Sequence, residues 1–267
     1  MSSPVDPSAA YLRQLFGLDG LTAVVIGGTG TLGGSIADTL GRAGAHVVVV
    51  GSNTPAGPAA VERLKGFGAT AEFVPADVTS RSDLEAIAKH LADQQRLPDI
   101  LVNGAGVNSP TPFLEITDDE WDRIMNVNLR GVRLACQVFG AQLLAKQAPG
   151  SIINIASLSA ITPLSRVFTY SASKAAVLNL TQNLAREWAP QKIRVNALSP
   201  GFFPAEQNRK VLTADRIDSV MRHTPMKRFG TPDELAGAVL LMASPTAGSF
   251  LTGANLVVDG GFTAMTI

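Results

Sequence analysis

Thr22-Ala23-Val24-Val25-Ile26-Gly27-Gly28-Thr29-Gly30-Thr31-Leu32-Gly33-Gly34 passes from an apolar run through a glycine-rich turn into a helical period. Thr22–Gly27 has strand length and no polar alternation, as expected of a strand covered on both faces. The glycines allow a tight turn and a close approach of backbone to a bound group, and Leu32–Ala43 carries the apolar spacing of a helix. A helix that opens directly behind a strand presents N–H groups and the positive end of its dipole to a phosphate. A glycine-rich loop also serves as a plain βα connection. The strand before it and the helix after it favour the phosphate reading.

Working outward, strand-like runs recur at Ala45–Val50, Glu72–Pro75, Ile100–Asn103, Ser151–Ala156, Ile193–Leu198 and Asn255–Val258. Between them, helical periods lie near Pro58–Gly66, Arg81–Gln94, Asp118–Leu144, Thr169–Ala189 and Pro232–Ala243. Regular alternation of this kind predicts an α/β fold, a Rossmann-like, doubly wound parallel sheet of about seven strands with helices on both faces. No repeat or linker divides residues 1–267, so one dinucleotide-binding and catalytic domain is expected. Its first ten residues or so, through Ala10, read as a loose tail. Residues 201–228 contain no clear strand and read as an excursion over a pocket.

Composition narrows the class. Apolar residues make up 46% of the 267 and charged residues 16%, enough for a substantial core. The 22 basic and 22 acidic residues cancel, which argues against nucleic acid or an anionic membrane as partner. No apolar run approaches the length of a membrane span. The single cysteine, Cys136, cannot form an internal disulfide and fits a reducing compartment. Met1–Ala10 lacks the basic start and apolar run of a leader, so a cytoplasmic location is expected. His46, His90 and His223 have no metal-ligand spacing, and no metal site is expected.

Two further loops fall at the carboxyl ends of predicted strands, where such sheets bind ligands. Asp77-Val78 places a carboxylate where it could meet an adenine amino group. Asn103-Gly104-Ala105-Gly106 offers small residues that would admit a ribose and nicotinamide. Alone, either would pass for a surface turn. The chemistry-bearing segment is Tyr170-Ser171-Ala172-Ser173-Lys174. Tyr170 and Lys174, four residues apart, share one helix face, a spacing that also arises by chance. A phenol with a pKa near 10 is a poor base at neutral pH, and a neighbouring ammonium favours its ionised form. Ser157, just after the fifth strand run, could hydrogen-bond a substrate oxygen as charge develops there. Asn128 could hold a water against Lys174 and so connect a proton path to solvent, or it could be an ordinary helix-interior asparagine.

Together these segments resemble the short-chain dehydrogenase/reductase family from Leu21 to Phe262. The resemblance also takes in Asn196-Ala197-Leu198-Ser199-Pro200-Gly201, Met226-Lys227-Arg228-Phe229-Gly230 and Val258-Asp259-Gly260-Gly261. It implies a catalytic set of Asn128, Ser157, Tyr170 and Lys174, with Tyr170 as general acid/base and Lys174 also on the nicotinamide ribose. It implies cofactor contacts from Gly27, Thr29, Gly30, Thr31, Leu32 and Gly33, and from Ser52 and Asn53. Asp77, Val78, Asn103, Gly104, Ala105 and Gly106 follow, then Pro200, Gly201 and Phe203. It further implies a homotetramer built through the long helices. Two positions depart from the family pattern. The usual Gly-x-x-x-Gly-x-Gly reads Gly27, Thr31, Gly33, with Gly30 one place early, and Gly104 replaces the second asparagine of Asn-Asn-Ala-Gly.

The segment Phe202-Phe203-Pro204-Ala205-Glu206-Gln207-Asn208-Arg209 is similar to the D-mannonate oxidoreductase (fructuronate reductase) type, with Ala205 in place of a threonine. A sugar-acid hydroxyl or ketone is therefore the expected substrate, with Ser159, Arg166 and Arg209 as candidate contacts. Either arginine could clamp a carboxylate or be a solvated surface charge. The alternatives are a reductase of 3-oxoacyl thioesters, of polyols or of gluconate-type substrates, and a dinucleotide-binding regulator without turnover. At the end of the second strand, Val50-Gly51-Ser52-Asn53 contains no acid to chelate ribose hydroxyls and no base to attract a 2′-phosphate. The room and the donors at Ser52 and Asn53 lean toward NADP over NAD. Ser52→Asp should therefore weaken NADP binding far more than NAD binding, as read by fluorescence titration. Equal effects on the two would mean that this strand end does not read the 2′ position.

Overall fold

The computed structural model describes residues 6–204 and 213–265. Seven strands build one parallel sheet: β1 Thr22–Ile26, β2 His46–Gly51, β3 Ala71–Pro75, β4 Ile100–Asn103, β5 Gly150–Ile155, β6 Ile193–Pro200 and β7 Asn255–Val258. Their order is β3-β2-β1-β4-β5-β6-β7. The winding thus reverses at β1, and Ile26 pairs with Val50 on one side and Asn103 on the other. The loops after β1, β2 and β4 open at one edge, beside the reversal point where open α/β sheets bind ligands.

Every residue of β1 is buried. Val24 and Ile26 pack into one apolar layer with Leu84, Phe139 and Val177, while Ala23 and Val25 pack into another with Ile36, Leu40 and Leu64. This two-sided burial is the reason the run shows no polar alternation. The first layer comes from α4 Arg81–Asp93, α6 Gly131–Lys146 and α7 Phe168–Trp188. The second comes from α2 Thr31–Arg42, α3 Ala56–Gly66 and α9 Ala236–Ala243. Among the described residues no helix is long and apolar enough to cross a membrane.

Two expectations are corrected and a third gains detail. The tail expected through Ala10 is helical from residue 7: α1 spans Pro7–Phe16, with the Asp6 carboxylate accepting from Ser8 N and Pro7 in its first turn. Asp-Pro is a helix-start signal that the absence of an apolar run concealed. The single long helix expected over Asp118–Leu144 is interrupted. α5 spans Asp118–Met125, a π turn follows at Asn126–Arg130, and α6 resumes at Gly131. The excursion over 201–228 contains a helix, α8 Ala214–His223, started by Thr213, whose hydroxyl accepts from Arg216 N.

A buried amide ladder ties the sheet to α7. Asn103 Nδ2 donates to Asn154 Oδ1 at 2.8 Å, and Asn154 Nδ2 donates to Thr181 Oγ1 at 2.9 Å. It joins β4, β5 and α7 under the loops that form the site. Cys136, buried beside Asn103, has its thiol pushed up to about 12 by burial and is an inert core side chain. Asn154→Ala should lower stability by about 1–3 kcal/mol, because it strips partners from buried polar atoms. A urea midpoint that does not move would show that the ladder carries no such load.

Candidate active site

The cleft begins where backbone packs on backbone. Gly27 has φ of 79°, and a Cβ on it would lie 2.6 Å from Ala105 N. A Cβ on Gly33 would lie 2.1 Å from Gly27 O. Glycine at these two positions lets the first turn, the start of α2 and the loop after β4 close on one another. Gly30 is the N-cap of α2 in ordinary extended conformation and gives the helix no side-chain cap. Gly30 therefore does not supply the missing third glycine, and Thr31 simply begins the helix. Gly104 N donates to Ile26 O at 2.9 Å, which binds the β4 loop to β1.

The cavity above this floor encloses about 570 Å³. Gly27, Gly30, Thr31, Leu32 and Gly33 form one wall, and Gly104 and Gly106 the base. Ser157, Ser159, Tyr170 and Lys174 stand opposite, and Gly201 and Phe203 close the far side. Residues as far apart in sequence as Gly27 and Arg216 thus meet at one sheet edge. Ser157 Oγ accepts from the N–H and the hydroxyl of Ser159, each at 3.1 Å, so its own proton is directed to the phenol of Tyr170 or to a substrate oxygen that takes its place. Burial raises the Tyr170 phenol above its ordinary value, and a hydrogen bond with Ser157 opposes the rise.

Lys174 is buried. Its Nζ donates to Ile155 O at 2.7 Å and lies 5.7 Å from the centre of the Tyr170 ring. Burial pulls its pKa down to about 8. Asn128 lies in the π turn and is off the cavity wall. Its Oδ1 accepts from Val107 N at 2.8 Å, and its Nδ2 donates to Val107 O at 2.9 Å and Ser173 Oγ at 3.1 Å. The side chain is a clamp on the loop after β4, so its amide protons are not available to hold a water. Its Oδ1 and Lys174 Nζ nevertheless each lie 3.5 Å from where a Cβ of Gly106 would be.

Other expected contacts lie outside the cavity wall. Ser52 and Asn53 are exposed at the end of β2, and Thr29 packs its hydroxyl 2.6 Å from where a Gly51 Cβ would be. The Asp77 carboxylate is exposed and accepts from Thr79 N and Oγ1, while Val78 packs on Gly131. Ala105 forms the floor through its backbone, and Asn103 and Pro200 end their strands behind it. Arg166 does not reach the cavity: it is exposed, with φ of 60°, in the turn before α7. That turn instead brings Leu164 and Val167 to the wall. Arg209 lies outside the described residues. Sequence reasoning missed Arg216 of α8, which lines the cavity. No spacing marked it, because α8 itself was not foreseen.

These residues fit a dinucleotide. The uncapped N-terminus of α2, walled by glycines too crowded for a Cβ, is a cradle for a pyrophosphate. A phenol, a hydroxyl and a buried ammonium across from it can exchange a proton with an alcohol or ketone. The class so defined is a dinucleotide-dependent oxidoreductase. Residues 28–263 match the family model described as Enoyl-(Acyl carrier protein) reductase, and the chain belongs to that family, within the short-chain dehydrogenases/reductases. It is an NAD(P)-dependent dehydrogenase/reductase.

Among its relatives is galactitol 2-dehydrogenase of Rhizobium johnstonii, 41% identical over 261 residues, covering 94% of this chain and 98% of the relative. The uncharacterized oxidoreductase UxuB of Bacillus subtilis is 37% identical over 268 residues, covering 92% and 96%. The crystal structure of a gluconate 5-dehydrogenase from Burkholderia cenocepacia, in complex with NADP and tartrate, superimposes with a TM-score of 0.90 at 33% identity, covering 96% of this chain and 100% of that one. The two characterised names are those of a hexitol and a hexonate enzyme, not of a D-mannonate enzyme.

The buried lysine makes stability depend on pH. The unfolded chain keeps Lys174 protonated up to about 10.5 and the folded chain only up to about 8. Between these values the unfolded state binds more protons, so stability rises with pH. Urea unfolding of wild type and Lys174→Met from pH 7 to 10.5 should show the difference moving in favour of wild type by on the order of 3 kcal/mol. A difference that stays constant with pH would mean the ammonium is not desolvated.

Proposed function

We propose that this protein interconverts a hydroxyl and a ketone on a sugar acid of the hexonate or ketohexuronate class, D-mannonate/D-fructuronate among them, with NADP used in preference to NAD. The observation that carries the chemistry is the placement of the Tyr170 phenol and the Ser157 hydroxyl on one cavity wall, opposite the uncapped N-terminus of α2. The sugar-acid choice rests on the Phe202–Arg209 segment and on the likeness to gluconate 5-dehydrogenase.

Bound at the α2 cradle, the nicotinamide dinucleotide supplies or accepts the hydride. Gly27 and Gly30–Gly33 would hold its pyrophosphate, Ser52 and Asn53 its adenosine ribose, Asp77 and Val78 its adenine, and Gly104–Gly106 with Lys174 the nicotinamide ribose. In oxidation, Tyr170 takes the proton of the substrate hydroxyl; in reduction it returns that proton to the carbonyl oxygen. Ser157 donates to the same oxygen and so stabilises the charge that develops there. A protonated Lys174 favours the phenolate by attraction. Asn128 acts at one remove, fixing Val107 and α7 against one another through Ser173, whose hydroxyl donates to Tyr170 O at 2.6 Å.

The same reading takes the enzyme to be a cytoplasmic homotetramer. The groove formed by Met125, Leu129, Arg133, Ala176 and Leu180 lies on the helices assigned to the subunit contact by resemblance. A second reading, a neutral polyol dehydrogenase, is favoured by the likeness to galactitol 2-dehydrogenase. A panel of hexonates, ketohexuronates and hexitols with both cofactors separates the two. Turnover of hexitols with none of the acids would refute the sugar-acid reading.

Tyr170→Phe removes only the proton donor. Turnover should fall by roughly a hundredfold to ten-thousandfold, while dinucleotide affinity, read by fluorescence titration, changes by no more than a few-fold. A variant that keeps wild-type turnover would remove Tyr170 from the acid/base role.

A further inference from the structure

We infer that Arg216 is the group that receives the substrate's carboxylate, and that Ser165 holds it at the cavity rim. The inference rests on the sugar-acid reading and assigns it a residue. Two charged side chains line the cavity, Lys174 and Arg216, and no aspartate or glutamate does among the described residues. Lys174 is fully buried and tied to Ile155 O beside the phenol, so its charge belongs to the reacting end of the site.

Arg216 is placed differently. It sits in the first turn of α8 and is half-buried. Its one side-chain hydrogen bond among the described residues runs from Nη1 to Ser165 Oγ, at 2.7 Å. Three guanidinium groups elsewhere on this surface have found carboxylates, Arg13 with Asp19, Arg63 with Asp38 and Arg228 with Glu234, while Arg130 and Arg133, off the cavity wall, have neutral oxygens. Arg216 has instead a neutral hydroxyl and retains donors for a planar anion. A guanidinium matches a carboxylate with two parallel N–H donors, a match that a neutral hydroxyl cannot provide.

The position has a further consequence. α8 belongs to the excursion over the pocket, and Ser165 belongs to the turn that leads into α7 and Tyr170. The Arg216–Ser165 bond therefore ties α8 to the turn that leads into the catalytic helix, beside the cavity wall formed by Leu164 and Val167. A carboxylate arriving there exchanges a neutral acceptor for a charged one on the same guanidinium. Arg166, beside Ser165 in sequence, cannot take this role because it lies off the cavity wall.

The test uses the full-length enzyme with saturating dinucleotide and tartrate, a hydroxylated dicarboxylate, as a dead-end ligand against whichever alcohol or ketone the wild type turns over. Arg216→Met should raise the inhibition constant of tartrate by about tenfold to a hundredfold, the range of one charge-assisted pairing. The kcat/KM ratio of acid over hexitol should fall by a similar factor, with the change in KM rather than kcat. Arg216→Lys, which keeps the charge without the fork, should recover part of the loss. Unchanged tartrate inhibition in Arg216→Met would overturn the inference. So would equal losses on acid and hexitol, or a weakened dinucleotide with tartrate unaffected, which would assign Arg216 to a cofactor phosphate. Arg216-dependent tartrate binding in an enzyme that turns over no acid would leave the carboxylate receptor standing and refute the sugar-acid reading alone.

Discussion

The contact between three stretches of bare backbone organises this site. Gly27, turning with positive φ at the end of β1, lies against Ala105 on one side and Gly33 on the other, with no room for a Cβ at either glycine. Because β1 is where the sheet reverses its winding, that contact closes the floor of the crevice. It also aims the N-terminus of α2 along that floor. A methyl group at Gly33 would force α2 away from the sheet and with it the N–H groups that make the cradle. The apolar layers on both faces of β1 fix the strand so that the turn has no alternative position.

The opposite wall is held by polar atoms. The ladder from Asn103 through Asn154 to Thr181 sets α7 on the sheet, and the Asn128 clamp sets the loop after β4 against α7. Between these two supports lies Lys174, buried, with a single carbonyl partner. Desolvation makes its ammonium easy to deprotonate and the Tyr170 phenol hard to ionise. The pair is thus balanced by burial, so that any positive charge brought near the phenol has a large effect on it in a medium of low dielectric.

The π turn at Asn126–Arg130 follows from the same requirement. A regular helix over Asp118–Leu144 would carry Asn128 at an ordinary helical position. The wider turn lets its amide pair with both the N–H and the C=O of Val107, as a neighbouring strand would. Such single wide turns inside α-helices recur at functional sites.

The alternation of apolar runs and helical periods was enough to read the parallel sheet, because β1, β2, β4 and β5 are buried on both faces and leave a pattern of continuous Val and Ile. Gly27 and Gly33 were legible because a crowded turn demands glycine there, and Tyr170 and Lys174 because an i, i+4 spacing sets a phenol and an ammonium on one helix face. Asn128 was legible as a residue, while its hydrogen bonds to Val107 were not, since they depend on a helix defect that no propensity encodes. Arg166 and Arg216 mark the limit. A charge beside the catalytic helix and a charge in an unforeseen one look alike in the chain. Which of them lines the cavity shows only in the folded chain, where Arg166 sits exposed in a left-handed turn and Arg216 of α8 reaches the wall and bonds to Ser165, because neither position is set by local spacing.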